Sequence, residues 1–290
     1  MIDRLFFYSH FGAGDLFESR EFVRDIMDFV PANQYIYAHT KNPRMFIDMP
    51  NLGYSKITQK MNVTLPYVKE GKDLYINTWI GRNSKYVLSK IGCVIDKSYE
   101  MFSDILKDLS LPAFRFPFIE YIPMVDYSYL HTENIDRFIE EHRNKYKTIV
   151  LICNGKVFSM QAENFDFTPV ISDLAFRRKD CLFLTTEHTG IEMTNLFNVP
   201  NIIKAVDLFD LNEISYLATL VDVIVGRKSG PFCFAHNRDV WYSNKKSLSF
   251  TYAEHSSHFI QGNKMPLRKY WSPAIDQKEV IRKIEEVINE

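Results

Sequence analysis

The sequence has 290 residues, enough for one large domain or two ordinary ones, and its 46% hydrophobic content provides ample core material. Its formal net charge of -1 gives no overall attraction to nucleic acid or to an anionic membrane surface, so we expect no nucleic-acid partner. No apolar stretch approaches the roughly 20 residues of a membrane-spanning helix, and the first residues are unlike a signal peptide, so we expect a cytoplasmic protein.

The first part of the chain alternates strands and helices. Residues 4–11 are apolar and aromatic, which predicts a short buried strand, and apolar residues between 16 and 30 recur at helical spacing. Further strands are predicted at 34–39 and 73–81, and a helix is predicted at 98–111. A strand, a helix and a second strand within about 35 residues have the size of a βαβ unit.

The pattern changes at 112–131, which is punctuated by prolines and follows neither period. A helix is predicted at 132–146, and a second alternation follows, with strands at 147–155, 181–187, 201–206 and from 222, and helices at 165–178 and 211–221. Two Rossmann-like halves are therefore expected. The predicted divisions are a domain at 1–125, a linker and connecting helix at 126–146, a domain at 147–275, and a helix at 276–290 that packs back on the first domain.

In sheets of this kind, ligands bind beyond the carboxyl ends of the strands, and three unusual stretches fall there. The first is FGAGD, in which Gly12 and Gly14 can bring the backbone close to a ligand. Asp15 can then accept a proton from a substrate hydroxyl, with His10 on the same strand end. The alternative is that Asp15 caps a helix and the glycines form a tight turn, which the local pattern favours.

The second stretch contains Asn154, Gly155 and Lys156. Lys156 can supply positive charge for a phosphate, although an ordinary Asn-Gly turn with a solvated lysine explains the same pattern. The third stretch, VGRKSGPF, follows a hydrophobic strand. Its two cations, a hydroxyl and a Gly-Pro pair can hold a diphosphate, or they can form a surface turn. We expect Arg227 and Lys228 both to face solvent.

Several classes of site are absent from the sequence. It contains no GxxxxGK[ST], GxSxG or HExxH motif, and no Asp-x-Asp tripeptide, which weakens the case for a metal-dependent transferase. The HSSH stretch at 255–258 is more typical of surface histidines than of a metal site. The four cysteines form no CxxC pair and are predicted to be free thiols. We expect no metal and no cofactor.

Two segments resemble one known family. FGAGDLFESREFVRDI resembles the G-x-G-D strand-to-helix opening of the heptosyltransferase-like glycosyltransferases, a bacterial family that uses ADP-heptose. ISYLATLVDVIVGRKSGPFCFA is similar to the later segment of that family, which leads into D-S/T-G-P-x-H. The resemblance implies an α/β, GT-B-like fold with two facing Rossmann-like domains. Lys228 stands where the family has Asp, and Cys233 where it has His, so ADP-heptose itself is not implied as the donor.

The resemblance also implies an activity. The implied activity is that of an inverting, metal-independent glycosyltransferase. Such an enzyme moves a sugar from a nucleotide-sugar donor to a hydroxyl of a glycan or glycolipid acceptor. Peripheral membrane contact through that acceptor is also implied. Asp15 would be the general base, and His10 would orient the acceptor or share that role. The residues assigned to the nucleotide sugar are Gly14, Asn154, Gly155, Lys156, Glu187, Arg227, Lys228, Ser229 and Gly230.

Other functions remain compatible with the sequence. The same architecture serves sugar-nucleotide epimerases and polysaccharide pyruvyl-type transferases. A sugar-nucleotide-binding module without catalytic activity is a further alternative, and Lys228 and Cys233 are its best support.

Overall fold

The computed structural model describes residues 2–80, 85–86, 94–114, 122–158, 161–204, 209–252 and 265–290. The described residues divide into two compact units, one that runs up to Met124 and one that begins at Val125. The sequence predicted a boundary after residue 125. Each unit is built on a sheet of mainly parallel strands.

The first unit has a five-stranded sheet in the order β3-β2-β1-β5-β4. All neighbours are parallel except β4, which pairs antiparallel with β5. Tyr8 at the end of β1 lies opposite Ala38 of β2 and Asn77 of β5, so these three strands end at the same level. We call this end of the sheet its carboxyl edge. The strands are β1 (Ile2–Tyr8), β2 (Ala32–Ala38), β3 (Leu52–Ser55), β4 (Tyr67–Glu70) and β5 (Asp73–Asn77).

The helical segment that follows β1 is divided into two helices. The sequence predicted one helix over 16–30, but the structure has α1 (Ala13–Glu18) and α2 (Arg20–Phe29), which meet at Ser19. The Ser19 hydroxyl donates to the Leu16 carbonyl at 2.8 Å and contacts the Tyr37 hydroxyl at 2.9 Å. This serine therefore ties the break in the helix to β2. A longer helix, α3 (Val94–Asp108), follows in the same unit.

Arg20, the first residue of α2, is fully buried. Its guanidinium forms an ion pair with Asp48 and donates through Nε to the Met124 carbonyl at 3.2 Å. The neighbouring Glu21 accepts the Met124 backbone N–H at 2.9 Å. Met124 is thus fixed to the beginning of α2, and the buried charge of Arg20 is paired, as burial of a charge requires.

The second unit has a six-stranded parallel sheet in the order β11-β10-β9-β6-β7-β8. Every residue of β6, β7 and β9 is buried, as expected of parallel strands that are covered on both faces. Cys153 at the end of β6 lies opposite Gly226 at the end of β9. The strands are β6 (Thr148–Cys153), β7 (Cys181–Thr185), β8 (Leu196–Asn198), β9 (Val223–Gly226), β10 (Lys246–Phe250) and β11 (Arg268–Ser272).

The C-terminal helix belongs to the second unit. The sequence predicted that 276–290 packs back on the first domain, whereas in the structure Val280, Ile284 and Val287 are buried in one core cluster with Val170 and Leu174 of the second unit. An amphipathic pattern indicates that a helix packs on something, but does not identify the partner. The helices of this unit are α4 (Glu133–Arg143), α5 (Thr168–Arg177), α6 (Val199–Ile203), α7 (Leu211–Leu220), α8 (Gly230–Phe234), α9 (Arg238–Trp241) and α10 (Gln277–Asn289).

The helix predicted as a connector, α4, is also part of the second unit. Its Ile135 and Ile139 are buried, and Arg143 in its last turn donates to both carboxylate oxygens of Asp222, at 3.0 and 2.8 Å. These contacts join α4 to the turn that precedes β9. The helix is therefore an integral element and not a free linker.

One predicted strand is wrong. Residues 201–203 lie in α6, because Pro200 occupies the first turn of a helix, where its missing N–H costs nothing; the strand is the preceding Leu196–Asn198. Residues 205 and 206 of that prediction, the HSSH stretch and Cys93 lie outside the described residues. Cys153 and Cys181 are buried free thiols, and Cys233 is a half-buried one. Among the described helices, none is long and apolar enough to span a membrane.

Candidate functional site

The carboxyl edge of the first sheet carries Asp15. Gly12, and not Asp15, is the N-cap of α1, and the Asp15 carboxylate lies in the first turn, where its Oδ2 accepts the Gly12 N–H at 3.0 Å. The side chain is half-buried. Burial raises the pKa of the Tyr37 phenol well above its ordinary value, and the nearby Asp15 charge raises that pKa further. Asp15 therefore has a capping contact and also lies beside a buried network of hydroxyl groups.

That network fixes the position of α1. The Tyr37 hydroxyl contacts Ser19 Oγ at 2.9 Å and Thr78 Oγ1 at 2.6 Å, and the Thr78 backbone N–H donates to the Tyr8 carbonyl at 3.0 Å. The ends of β1, β2 and β5 are thus joined to the helix that carries Asp15. A carboxylate on so short a helix is held in place by these contacts and not by the helix alone.

His10 follows β1 and is exposed. Its Nε2 donates to the Met61 carbonyl at 2.8 Å, which in the neutral ring assigns the proton to Nε2 and the lone pair to Nδ1. The next residue, Phe11, meets Trp79 with ring centroids 5.6 Å apart, and both rings are half-buried. Asp15, His10 and this aromatic pair all belong to the chain segments that follow β1 and β5.

In the second unit, Asn154 joins the ends of β6 and β7. Its Oδ1 accepts the Glu187 N–H at 2.8 Å and the Thr186 hydroxyl at 3.3 Å, and its Nδ2 donates to the Glu187 carbonyl at 3.1 Å. A Cβ added at Gly155 would lie 2.8 Å from Glu187 Oε1, so the Glu187 carboxylate lies directly against the Gly155 backbone. The sequence assigned Asn154 to a ligand, whereas in the structure its side chain holds two strand ends together.

The prediction that Arg227 faces solvent is wrong. Only 2% of its surface is exposed, and its guanidinium donates to the carbonyls of Phe165 at 2.6 Å, Asn154 at 2.9 Å and Gly155 at 3.1 Å. The guanidinium carbon also lies 4.8 Å from the ring centroid of Phe167. A guanidinium can bind several carbonyls and an aromatic face at once, which a short polar motif does not reveal. Arg227 fixes both ends of the loop 154–165, which we call the β6 loop.

Burial lowers the pKa of Arg227, while the negative charges of Glu187 and Asp166 oppose that shift. Its Nε is buried and makes no hydrogen bond within the described part of the chain, and the same holds for the hydroxyl of Ser229. Lys228 is half-buried and Lys156 is exposed. Gly230 begins α8 after the Ser229 N-cap. The third motif thus contributes one buried cation and one that solvent reaches.

The sequence did not indicate three further residues of the second unit. Phe158 in the β6 loop is 99% exposed, and Asn164 bonds both backbone groups of Val157. Asp210, before α7, has its pKa raised to about 6 by burial and by the charge of Glu213. The Gly-Lys-Val-Phe order could have drawn attention to Phe158, but no sequence signal indicated the other two. Within the described ranges, no group of three or more His, Cys, Asp or Glu side chains could hold a metal ion.

Comparison with known protein families gave no matching family, and comparison with curated proteins gave no match. Solved structures do match. The glycosyl transferase family 9 protein of Veillonella parvula is 10% identical, with a TM-score of 0.51 over 99% of this chain and 93% of that one. E. coli heptosyltransferase WaaC with ADP is 9% identical, with a TM-score of 0.50 over 98% of this chain and 99% of its own.

The chain has a GT-B-like fold. A second WaaC structure, with ADP-2-deoxy-2-fluoro heptose, is 7% identical and gives a TM-score of 0.52 over 99% of both chains. The matches thus include a heptosyltransferase, the kind of protein that the two sequence segments resemble. At this level of identity the agreement establishes the shared fold, with the predicted pair of parallel-sheet units.

Proposed function

We propose that this protein is an inverting, metal-independent glycosyltransferase, which moves a sugar from a nucleotide-sugar donor to a hydroxyl of a glycan or glycolipid acceptor. The observation that supports it most is the fold, which it shares over nearly the whole chain with WaaC, a heptosyltransferase solved with ADP and with an ADP-sugar. The position of Asp15 after the first strand adds chemical support, because a carboxylate there can act as a base.

The second unit is the proposed donor side. Lys156 is exposed and Lys228 is half-buried. Lys156 follows the carboxyl end of β6, and Lys228 follows the carboxyl end of β9. Their charges would stabilise the diphosphate as it leaves, in the role that a divalent metal has in other transferases. Ser229 and Gly230 would approach the same phosphates, and the exposed Glu187 would bind ribose hydroxyls. Arg227 supports the donor side indirectly, by holding the β6 loop.

The first unit is the proposed acceptor side. The acceptor oxygen bonds to the anomeric carbon of the donor as the bond from that carbon to the phosphate oxygen breaks. The hydroxyl proton passes to Asp15, and the bonding electrons leave with the nucleoside diphosphate. His10 would orient the acceptor through Nδ1, since its Nε2 donates to the Met61 carbonyl. Because attack and departure occur on opposite faces of one carbon, the configuration there inverts.

A donor screen tests this proposal. The protein is incubated with ADP-, UDP-, GDP- and CMP-linked sugars in the presence of EDTA, and release of the nucleotide is followed with and without added glycan or glycolipid acceptors. We expect slow donor hydrolysis that acceptor accelerates. Release that requires added magnesium or manganese contradicts the metal-independent mechanism. A free epimerised sugar would identify an epimerase, and binding without turnover a non-catalytic module.

A further inference from the structure

We propose that Phe158 is the stacking surface for the nucleobase of the donor. This inference rests on the proposed function, because it adds a base-recognition residue to the donor side. Phe158 is 99% exposed, the largest exposed fraction among the large hydrophobic residues of the described chain. Single apolar residues on a surface are ordinary, so exposure alone does not indicate a ligand. The β6 loop around Phe158 supplies the further evidence.

Hydrogen bonds hold the described residues of the β6 loop that lie before and after this phenylalanine in the sequence. Val157 donates its N–H to Asn164 Oδ1 at 2.8 Å and accepts from Asn164 Nδ2 at 2.8 Å, so one amide side chain satisfies both of its backbone groups. Arg227 fixes the two ends of the loop through the Asn154, Gly155 and Phe165 carbonyls. The backbone immediately before Phe158 therefore has few alternative conformations. This reduces the conformational entropy that is lost when a ligand binds.

The side chains of residues 155–158 alternate between buried and exposed positions. Gly155 and Val157 are buried, whereas Lys156 and Phe158 are exposed. Alternate residues of an extended chain project to the same side, and two residues span at most about 7 Å. Lys156 and Phe158 therefore both project into solvent, and the Glu187 carboxylate lies against the backbone of Gly155, the residue before Lys156.

These three groups match the parts of one ligand class. A nucleoside diphosphate has anionic phosphates for Lys156, ribose hydroxyls for Glu187 and an aromatic base for Phe158. Every base has a π-face, so stacking of this kind tolerates different bases. The exposed ring becomes covered when the nucleotide binds, which accounts for an apolar side chain that is 99% exposed among the described residues.

The test measures the affinities of ADP, UDP, GDP, CDP and inorganic pyrophosphate by calorimetry. For the nucleotide that binds most tightly, we expect Phe158→Ala to weaken affinity about 5- to 150-fold. Pyrophosphate affinity should stay within about twofold of wild type, because pyrophosphate has no base. Phe158→Trp should retain nucleotide affinity and show fluorescence quenching on binding. Phe176→Ala is a matched control, since Phe176 is also an exposed phenylalanine of this unit, on α5.

The outcomes separate this inference from the proposed function. If none of the four nucleotides binds the wild-type protein, the donor site is refuted and the role of Phe158 with it. If nucleotides bind and Phe158→Ala leaves their affinity unchanged, only the stacking role is refuted. Equal losses for nucleotide and pyrophosphate also refute stacking, because they would show that the substitution acts on the loop shape.

Discussion

Replacing Arg227 by methionine tests the reassignment of this residue from a ligand-binding cation to the anchor of the β6 loop. The substitution removes three short hydrogen bonds to carbonyls, at 2.6, 2.9 and 3.1 Å, and a long one to the Glu163 carbonyl at 3.5 Å. The three short ones dominate the energy. Hydrogen bonds from a charged group contribute about 1.5–3 kcal/mol each, which gives an upper range of about 4.5–9 kcal/mol. The true loss is smaller, because methionine abolishes the cost of burying a guanidinium whose Nε makes no hydrogen bond within the described chain.

Because the loop carbonyls can rehydrate once the loop opens, we expect Arg227→Met to lower the free energy of unfolding by about 2–4 kcal/mol. Chemical denaturation measures this value, and hydrogen exchange of the backbone amides in the β6 loop shows where the loss occurs. The Val157 amide, which donates to Asn164, should exchange faster. Arg227→Lys should recover part of the stability, since an ammonium keeps the charge but lacks the planar fork.

Lys156→Met is the matched control, because Lys156 lies in the same loop and is exposed. We expect it to change stability by less than about 0.5 kcal/mol while weakening nucleotide binding. A stability of Arg227→Met within about 0.5 kcal/mol of wild type would refute the anchoring role. So would unchanged exchange of the β6 loop amides.

Four further substitutions test other features. Asp15→Asn keeps an oxygen that can accept the Gly12 N–H, so the melting temperature should not change. The transfer rate should fall about 10²–10⁴-fold, because the amide cannot act as a base. Near-normal transfer would exclude Asp15 as the base. Gly226→Ala would place a Cβ 2.8 Å from Cys153 Cβ and 2.9 Å from its carbonyl oxygen, and should cost at least about 1–3 kcal/mol in denaturant unfolding. Gly155→Ala should cost less, because it meets only the mobile end of Glu187. The Asp210 pKa is raised from 3.8 to about 6, so the folded state binds more protons than the unfolded state between these values, and stability falls as pH rises through them. Asp210→Asn should remove that slope and raise the melting temperature at pH 7, and an unaltered pH profile would contradict this.

The buried strands were predictable because they carry a strong local signal. TIVLIC at 148–153 and CLFLT at 181–185 are continuous apolar runs, which parallel strands covered on both faces require. β10 and β11 were missed because KSLSF and RKYWS are interrupted by polar and charged residues. β3 and β4, each of four residues, are too short for a periodicity to register.

The sequence predicted which residues follow the strand ends, but not which contacts their side chains make. The ends of parallel strands identify where ligands bind, and Asp15, Lys156 and Lys228 all follow such ends. Side-chain partners distant in sequence were not predictable. Arg227 bonds carbonyls more than 60 residues away, and Asn154 bonds Glu187 33 residues away. A turn rich in polar residues looks the same in sequence whether its side chains bind the chain itself or a ligand.

The bond between Arg20 and Met124 has a consequence for how the first unit folds during synthesis. The two residues are 104 positions apart, whereas Asp48, the ion-pair partner of Arg20, follows after 28. At about 5–20 residues per second, Met124 is synthesised on the order of 5–20 s after Arg20. Throughout that interval the nascent unit lacks one acceptor for a charge that it must bury. A fragment truncated shortly before Met124 would retain this defect permanently, so Arg20 gains its full set of acceptors only after Met124 has left the ribosome.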